Sequence, residues 1–557
     1  MINNSDGSSR SETAAIINPG GLTVGKSLNV NRKLIIGTRG SELALWQANF
    51  VKDRLAEISI EAELKIIKTQ GDIVQHLRLD KLEGKGFFTK ELEEELLSGQ
   101  IDLAVHSHKD LPTVNPPGLI IAAVSEREDP SELLIIHKDC VDITKRLSLK
   151  HNASVGTSSN RRKAQLLSLR PDLEFEDLRG NLQTRVQKLR DEKYDAIVLA
   201  KAGIARINME LSDFHLEEIA PVEVVPAPAQ GVLAIQIRES DQELFDILQQ
   251  INDKEVAEAI SVERKVLNLF DAGCHAPLGS YCRKKDGVFQ SWTSIADTNE
   301  DFPDRVFLES ETTEGMAEKI FAKYQKDRKL PSSVFITRDL AENSYLARFL
   351  KKHDIQVDAR SLIRIFPTIN KLDSFILKRA DWIFFNSKNA IEHFFKLEPW
   401  ILKKTKIGVL GRGSEDTLRK FNRIADFSGD NLGIDTEGIA QEFAKLVDGQ
   451  TVLIPRAEGS LQTIQKALTE NTKIIDMPIY ESVIEEEVDK SNAQVLIFTS
   501  PSNVEAYFRE NLADPDQKII CIGYSTAKAI EALGLKYTLP YTPDEIGLAE
   551  AVFGLDY

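Results

Sequence analysis

Five consecutive residues, His106-Ser107-His108-Lys109-Asp110, bring together two imidazoles, a hydroxyl, an ammonium and a carboxylate. Groups of these kinds can move protons and bind anions. Taken alone, the segment reads equally well as a solvated loop in which Asp110 makes a turn. Arginines recur elsewhere: Arg39, the pair Arg161-Arg162, then Arg179, Arg185 and Arg206. Repeated guanidinium groups predict a ligand carrying several carboxylates or phosphates. Cys274 lies between Gly273 and Pro277, hence on a turn. A lone cysteine is by default a buried structural thiol, although a loop position beside glycine also suits a nucleophile or an attachment point.

The elements that must position these groups follow from the apolar pattern. Ile101 to Val105 reads as a buried strand, and Pro112 ends the segment, so the polar cluster sits just past a strand's carboxyl end, where open α/β sheets place ligands. Lys33 to Gly37 is a strand leading to Thr38-Arg39-Gly40-Ser41, with Ser41 as N-cap of a helix from Glu42 to Ile58. Glu63 to Ile67 is a second strand. Lys81 to Thr89 is a glycine-bearing basic loop that could close over a site or serve only as a linker. After the strand Leu119 to Val124, a second lobe starts near Pro130 and repeats the logic. The strand Ala153 to Val155 leads to Gly156-Thr157-Ser158-Ser159-Asn160-Arg161-Arg162 and a helix from Lys163 to Leu169. Hydroxyl residues beside paired arginines at a helix start form an anion cradle. Asp177 to Asn181 precedes a helix with Arg185, and the strand Ala196 to Ala200 ends at Lys201-Ala202-Gly203-Ile204-Ala205-Arg206. Pro226 to Gly231 predicts a rigid crossing back to the first lobe, and a helix over 254–269 leads to Cys274.

Whole-chain properties narrow the field. At 557 residues the chain has room for roughly three to five domains. A formal charge of −16 with no offsetting basic stretch argues against nucleic acid as the partner. No apolar run suffices to span a bilayer, which predicts no membrane partner. Four cysteines without CxxC spacing, and no HExxH, argue against a disulfide framework and against a metal site, and fit a reducing, cytoplasmic compartment. Residues 1–32 read as a disordered tail without a secretory signal.

The motifs Thr38-Arg39-Gly40-Ser41, Gly84-Lys85-Gly86, Val105 to Asp110, Gly156 to Arg162, Leu178-Arg179-Gly180-Asn181, Gln230-Gly231 and Gly273-Cys274 occur in the order and spacing of the porphobilinogen deaminase (hydroxymethylbilane synthase) family. The resemblance covers roughly residues 33–329. It implies two periplasmic-binding-protein-like α/β lobes plus a small α+β domain, divided as 33–129 with 226–250, 130–225, and 251–329. It further implies a dipyrromethane cofactor held by Cys274 through a thioether, Asp110 as catalytic carboxylate and Lys109 beside it. Cofactor contacts would come from Lys81, Lys85, Ser107, Asp110, Thr157, Ser158, Ser159, Arg161, Arg162, Arg179 and Gly203. Substrate contacts would come from Arg39, Ser41, Arg179, Arg185, Arg206 and Gln230. The implied reaction assembles four porphobilinogen molecules into hydroxymethylbilane with loss of ammonia. A fixed carboxylate would stabilise the cation left by that loss, and two carboxylates per pyrrole account for the arginines. The sequence departs from the family pattern at His108, Lys201 and Ala229, where apolar, apolar and glycine residues are usual.

Lys323 to Ser333 marks a join, after which short buried strands alternate with helices, implying two Rossmann-like parallel α/β lobes over 333–557. Ile336-Thr337-Arg338, Phe385-Asn386-Ser387, Val409-Leu410-Gly411, Ile479-Tyr480-Glu481, Phe498 to Ser502 and Ile522 to Ala527 resemble the uroporphyrinogen-III synthase family. That resemblance implies cyclisation of hydroxymethylbilane with inversion of the last ring, without metal or cofactor. Tyr480 would assist loss of the terminal hydroxyl, and Thr499, Ser502, Ser525 and Thr526 would bind carboxylates. The expectation is a monomeric bifunctional enzyme acting on small molecules. The competing expectation is a two-lobe carboxylate-binding or sensor protein with an inactive second module.

Overall fold

The computed structural model describes residues 33–69, 89–271, 276–429, 432 and 436–556. The expected tail over 1–32, and Lys81, Lys85 and Cys274, lie outside the described residues.

Five sheets organise the described residues. In the first, the strands Ala62–Ile66, Leu34–Thr38 and Leu103–Ser107 run parallel. Leu233–Arg238 inserts antiparallel between Leu103–Ser107 and Leu119–Val124. The crossing after Pro226 therefore does return the chain to the first lobe. The second sheet has the same plan: Glu174–Glu176, Ser154–Gly156 and Ala196–Ala200 are parallel, and Glu132–His137 enters antiparallel beside Phe214–Ile219. Each lobe thus takes one antiparallel strand from a segment adjoining a crossing. A three-stranded antiparallel sheet, Leu278–Lys285, Val288–Ile295 and Asp304–Ser310, packs on the helices Lys254–Leu269 and Met316–Lys323.

The remaining two sheets belong to the C-terminal half. One is parallel, in the order Gln356–Ala359, Ser333–Ile336, Val495–Phe498 and Lys518–Cys521. The other has five parallel strands, among them Trp382–Phe385, Thr451–Ala457 and Lys473–Ile484, with Ile363–Pro367 antiparallel at its edge. The buried strands read as continuous apolar runs because helices cover both faces.

One local expectation shifts. The helix expected over 163–169 is Asn160–Leu169, because Ser159 caps it by accepting from the Arg162 N–H; Arg161 and Arg162 lie in its first turn. In the C-terminal half the first helix is Tyr345–Lys352, which Ser344 caps.

The two halves are joined by far more than the connection after Lys323. One apolar core runs from Leu134 and Val155 of the second lobe to Val334, Ile497 and Val552 of the C-terminal half. Arg305 pairs with Glu550 at 2.7 Å, both almost wholly buried, and donates to the carbonyls of Val222 and Glu223 on the crossing segment. Arg283 donates to the Tyr541 hydroxyl at 2.6 Å, and Tyr541 stands edge-on to Trp292.

Candidate active site

The facing ends of the first two sheets enclose a cavity of about 90 Å³. Ser107 and Lys109 reach it from the first lobe; Arg162, Arg185, Gly203 and Arg206 reach it from the second, with Gln47 and Gly231 completing the wall. Apart from Gly231, which precedes the antiparallel strand Leu233–Arg238, each of these residues ends a strand or lies in the turn or helix after one, so two similar sheets facing each other converge on one cationic cleft.

The turn that carries Asp110 is held by its neighbours. The His108 N–H donates to the Val232 carbonyl and the Leu111 N–H to the His108 carbonyl, closing a short 3-10 turn over His108–Asp110. Ser107 accepts from Gln47 Nε2 at 2.8 Å. Asp110 is exposed, whereas Lys109 is tucked in and donates to Gln230 Oε1 at 3.3 Å. Burial lowers the Lys109 ammonium to about 8, against the pull of Asp110 and Glu132 and with help from Arg162 and Arg161. His106 is buried against Gln236 Oε1 at 3.1 Å, and burial holds it down to about 4. His108 is only 7% exposed, its Nδ1 has no hydrogen-bond partner, and burial followed by nearby Arg264 lowers it to about 3. Both imidazoles are therefore neutral at physiological pH, and neither serves as a cation for a carboxylate ligand.

The arginines divide by what they face. Arg206 donates to the Gly231 carbonyl at 2.6 Å and lies 5.6 Å from the Trp46 ring centroid. Its Nε is buried without an acceptor, and burial lowers its guanidinium to about 10. A desolvated cation with an unused donor in a cleft wall favours an incoming carboxylate. Arg185 donates to the Gly180 carbonyl at 2.7 Å; burial and Arg162 lower it, with Asp110 opposing. Arg162 lines the cleft while its Nη2 pairs with Glu132 at 2.6 Å. Arg161 requires a correction to the cradle reading. Its guanidinium donates to Glu132 at 2.6 Å and to the Val225 carbonyl at 2.9 Å, facing inward, because adjacent residues on a helix point about 100° apart.

Other expected contacts are also narrowed. The Ser158 hydroxyl donates to the Leu178 carbonyl at 2.9 Å, while Ser41 and Ser159 accept from backbone N–H groups as caps. Thr157 accepts from the Ser159 N–H at 3.2 Å. Arg39 follows the strand Leu34–Thr38 of the first sheet and Arg179 follows Glu174–Glu176 of the second, where it reaches Asp177 at 3.3 Å. Gln230 is buried and bridges Lys109 to Glu132 rather than facing the cleft. Lys201 pairs with Asp129 at 2.7 Å and with Glu218, which ties the strand-end turn to the other crossing. Ala229 adopts φ +61°, the left-handed conformation that makes glycine usual there.

In the C-terminal half, Tyr480 is buried, bonds Ser387 Oγ at 3.0 Å and stacks on His393; burial raises its phenol, with the Ser387 bond opposing. Ser502 and Ser525 sit partly exposed at helix starts on the other sheet. Two expectations are corrected. Thr499 already donates its hydroxyl to the Thr337 carbonyl at 2.9 Å, and Thr526 is 1% exposed, so neither hydroxyl meets solvent as a ready donor. Among the described residues no group of three His, Cys, Asp or Glu could hold a metal ion, and no helix is long and apolar enough to cross a membrane.

Sequence reasoning missed Glu132, Gln47 and the buried pair of Arg127 and Glu263. The available signal was a glutamate opening the apolar run Glu132–His137. Such a charge is retained inside a sheet only with partners.

The family model "Porphobilinogen deaminase, dipyromethane cofactor binding domain" matches residues 34–246, and "Uroporphyrinogen-III synthase HemD" matches residues 343–550. A porphobilinogen deaminase of Fusobacterium nucleatum subsp. nucleatum is 45% identical over 258 residues, spanning 45% of this chain and 84% of that protein. One of Clostridium novyi is 44% identical over 260 residues, spanning 46% of this chain and 86% of that protein. A solved uroporphyrinogen-III synthetase of Helicobacter pylori aligns over 39% of this chain and 97% of its own at 18% identity, with a TM-score of 0.29.

Proposed function

We propose the following course of reaction for a chain that belongs to the porphobilinogen deaminase family and continues into a uroporphyrinogen-III synthase module. The chain is a bifunctional enzyme of tetrapyrrole biosynthesis with a dipyrromethane cofactor domain. The residues present fit that group: the cleft offers Lys109, Arg162, Arg185 and Arg206 to its carboxylates, and Arg206 Nε is a buried donor in want of an acceptor. When bound, the dipyrromethane supplies the primer to which pyrroles are added. Cys274, carried on the segment after the helix Lys254–Leu269, holds it as a thioether.

Arg206 and Arg185 bind the acetate and propionate groups of an incoming porphobilinogen and fix its ring in the cleft. Asp110, exposed at the tip of its turn, faces the pyrrole N–H and stabilises the cation left as ammonia departs. Lys109 stands next to it with an ammonium already lowered toward neutral pH, poised to pass a proton to the leaving amine. Four such additions, each losing ammonia, followed by hydrolytic release of the four new rings with water supplying the terminal hydroxyl, would give hydroxymethylbilane. The second module closes it with inversion of the last ring, relying on positioning more than on a strong acid or base. Tyr480 assists loss of the terminal hydroxyl, while Ser502 and Ser525 with neighbouring backbone N–H groups hold carboxylates. We take the chain to be a cytoplasmic monomer, with the divisions at 130, 226, 251 and 333.

The observation that carries this reading is the cationic cleft between two matching lobes, with an exposed carboxylate at its rim. Intact-mass measurement tests it: the native chain is expected to carry an adduct of two pyrrole units, absent from Cys274→Ser. Asp110→Ala is expected to keep the adduct and lose turnover. A native mass equal to that of the sequence would favour a binding protein instead, and isomer analysis of the product tests the second module.

A further inference from the structure

Glu132 opens the first strand of the second lobe and has 0% exposure. Its Oε1 accepts from Arg161 Nη2 at 2.6 Å and Gln230 Nε2 at 3.2 Å; its Oε2 accepts from Arg162 Nη2 at 2.6 Å and Nε at 3.0 Å. Gln230 uses its other end to accept from Lys109 Nζ at 3.3 Å. The bridge therefore starts in the second lobe, passes through the crossing segment and ends on the first lobe, one residue from Asp110. Two guanidiniums and one ammonium share this one buried carboxylate, so a net positive charge remains at the cleft wall.

We propose that Glu132 is a positioning residue for deamination: it holds Arg162 at the cleft wall and, through Gln230, fixes Lys109 beside Asp110 and keeps its ammonium protonated. The role of Asp110 in this statement rests on the proposed function; the link from Glu132 to Lys109 does not. The groups bearing on Lys109 are Asp110 on its own turn and Glu132, Arg161 and Arg162 from the second lobe, with neutral Gln230 between. Glu132 is the anion among them that no solvent screens.

The molecule contains its own control. Glu263 is equally buried and binds Arg127 at 2.6 and 3.2 Å, but its further partners are the backbone N–H groups of Cys282 and Ala229. It supports the crossing without touching a cleft side chain.

The test is the pH dependence of acetic anhydride labelling at Lys109 in the full chain, read by peptide mass spectrometry beside the pH profile of deamination. In the native protein the labelling midpoint is expected near 8. In Glu132→Gln it should fall by about one pH unit, raising labelling at pH 7 by roughly fivefold, and the alkaline limb of the deamination profile should move with it. Glu132→Asp should recover most of the midpoint, and Glu263→Gln should leave it in place. An unmoved midpoint in Glu132→Gln, or an equal shift in Glu263→Gln, overturns the proposal. If Glu132→Gln does not accumulate folded, Gln230→Met decides: it should also make Lys109 more reactive at pH 7, and native-like labelling there overturns the proposal. A chain that labels as expected yet deaminates nothing would refute the proposed function and leave the coupling standing.

Discussion

His108 offers the sharpest quantitative prediction, because the family pattern places an apolar residue where this chain has a buried imidazole. Its Nδ1 has no partner, and it borders a cavity of about 340 Å³ formed with Ile121, Val124, Phe245 and Arg264, so His108→Leu has room to pack. A histidine held neutral contributes stability above its unfolded value of 6.5 and loses it as pH falls toward its folded value, here about 3. At pH 5 the unfolded chain binds nearly one proton more at this position, and integrating down from pH 7.5 gives a loss of about 2 kcal/mol. That figure holds for any folded value well below 5. Removing the orphaned nitrogen adds about 1 kcal/mol at any pH. The variant should therefore gain about 1 kcal/mol over the native chain at pH 7.5 and about 3 at pH 5. Denaturant titrations at both pH values measure this, with hydrogen exchange in the strand Leu103–Ser107 reporting on the first lobe. Part of the acid sensitivity will persist, because burial also holds His106 neutral, at about 4. An advantage of the same size at pH 5 and 7.5 would refute the reasoning.

Other perturbations separate the remaining supports. Glu550→Ala should cost about 3–5 kcal/mol by leaving Arg305 buried and unpaired, and in denaturant it should split a shared unfolding transition into two; a native-like single transition would show that the halves are not locked at this point. Gly231→Ala should destabilise by more than about 2 kcal/mol, since φ is +88° and an added Cβ would strike the Glu128 carbonyl; calorimetry checks this. Tyr480→Phe should cost about 1 kcal/mol through the lost Ser387 bond and slow cyclisation while leaving hydroxymethylbilane formation unchanged, as seen by assaying both products. Glu132 and Glu223 are each lowered to about 2 despite burial, by Arg162 and by Arg412 respectively. Their stabilisation should be complete above about pH 4.5 and be lost as pH falls toward 2, visible as proton uptake on acid unfolding.

Much of the architecture was legible in the chain because its cause is local. Apolar runs of strand length, capped helices and the prolines of the crossing are properties of neighbouring residues, and they placed Arg39, Lys109, Arg162 and Arg206 at strand ends before any fold was known. The alternation also distinguished two α/β lobes and a second pair of lobes, whereas the smaller α+β part was implied only by the family resemblance. Periodicity says nothing, however, about which distant charge a side chain meets. Arg161 and Arg162 are adjacent in the sequence, yet only the packing of their helix against Glu132–His137 sends the first inward and leaves the second on the cleft.

The residue types by themselves put cations at several strand ends, as an anionic ligand requires, while the place of Asp110 among them was implied by the family resemblance. Only the tertiary structure decided how those charges are shared. Glu132 meets Gln230 across 98 residues of chain, and Arg305 meets Glu550 across 245. Such pairings depend on how sheets and crossings close on each other, and no window of local sequence carries that information. The same holds for the two modules: the sequence marks a join near Lys323, while a shared apolar core and a buried ion pair make that join an interface.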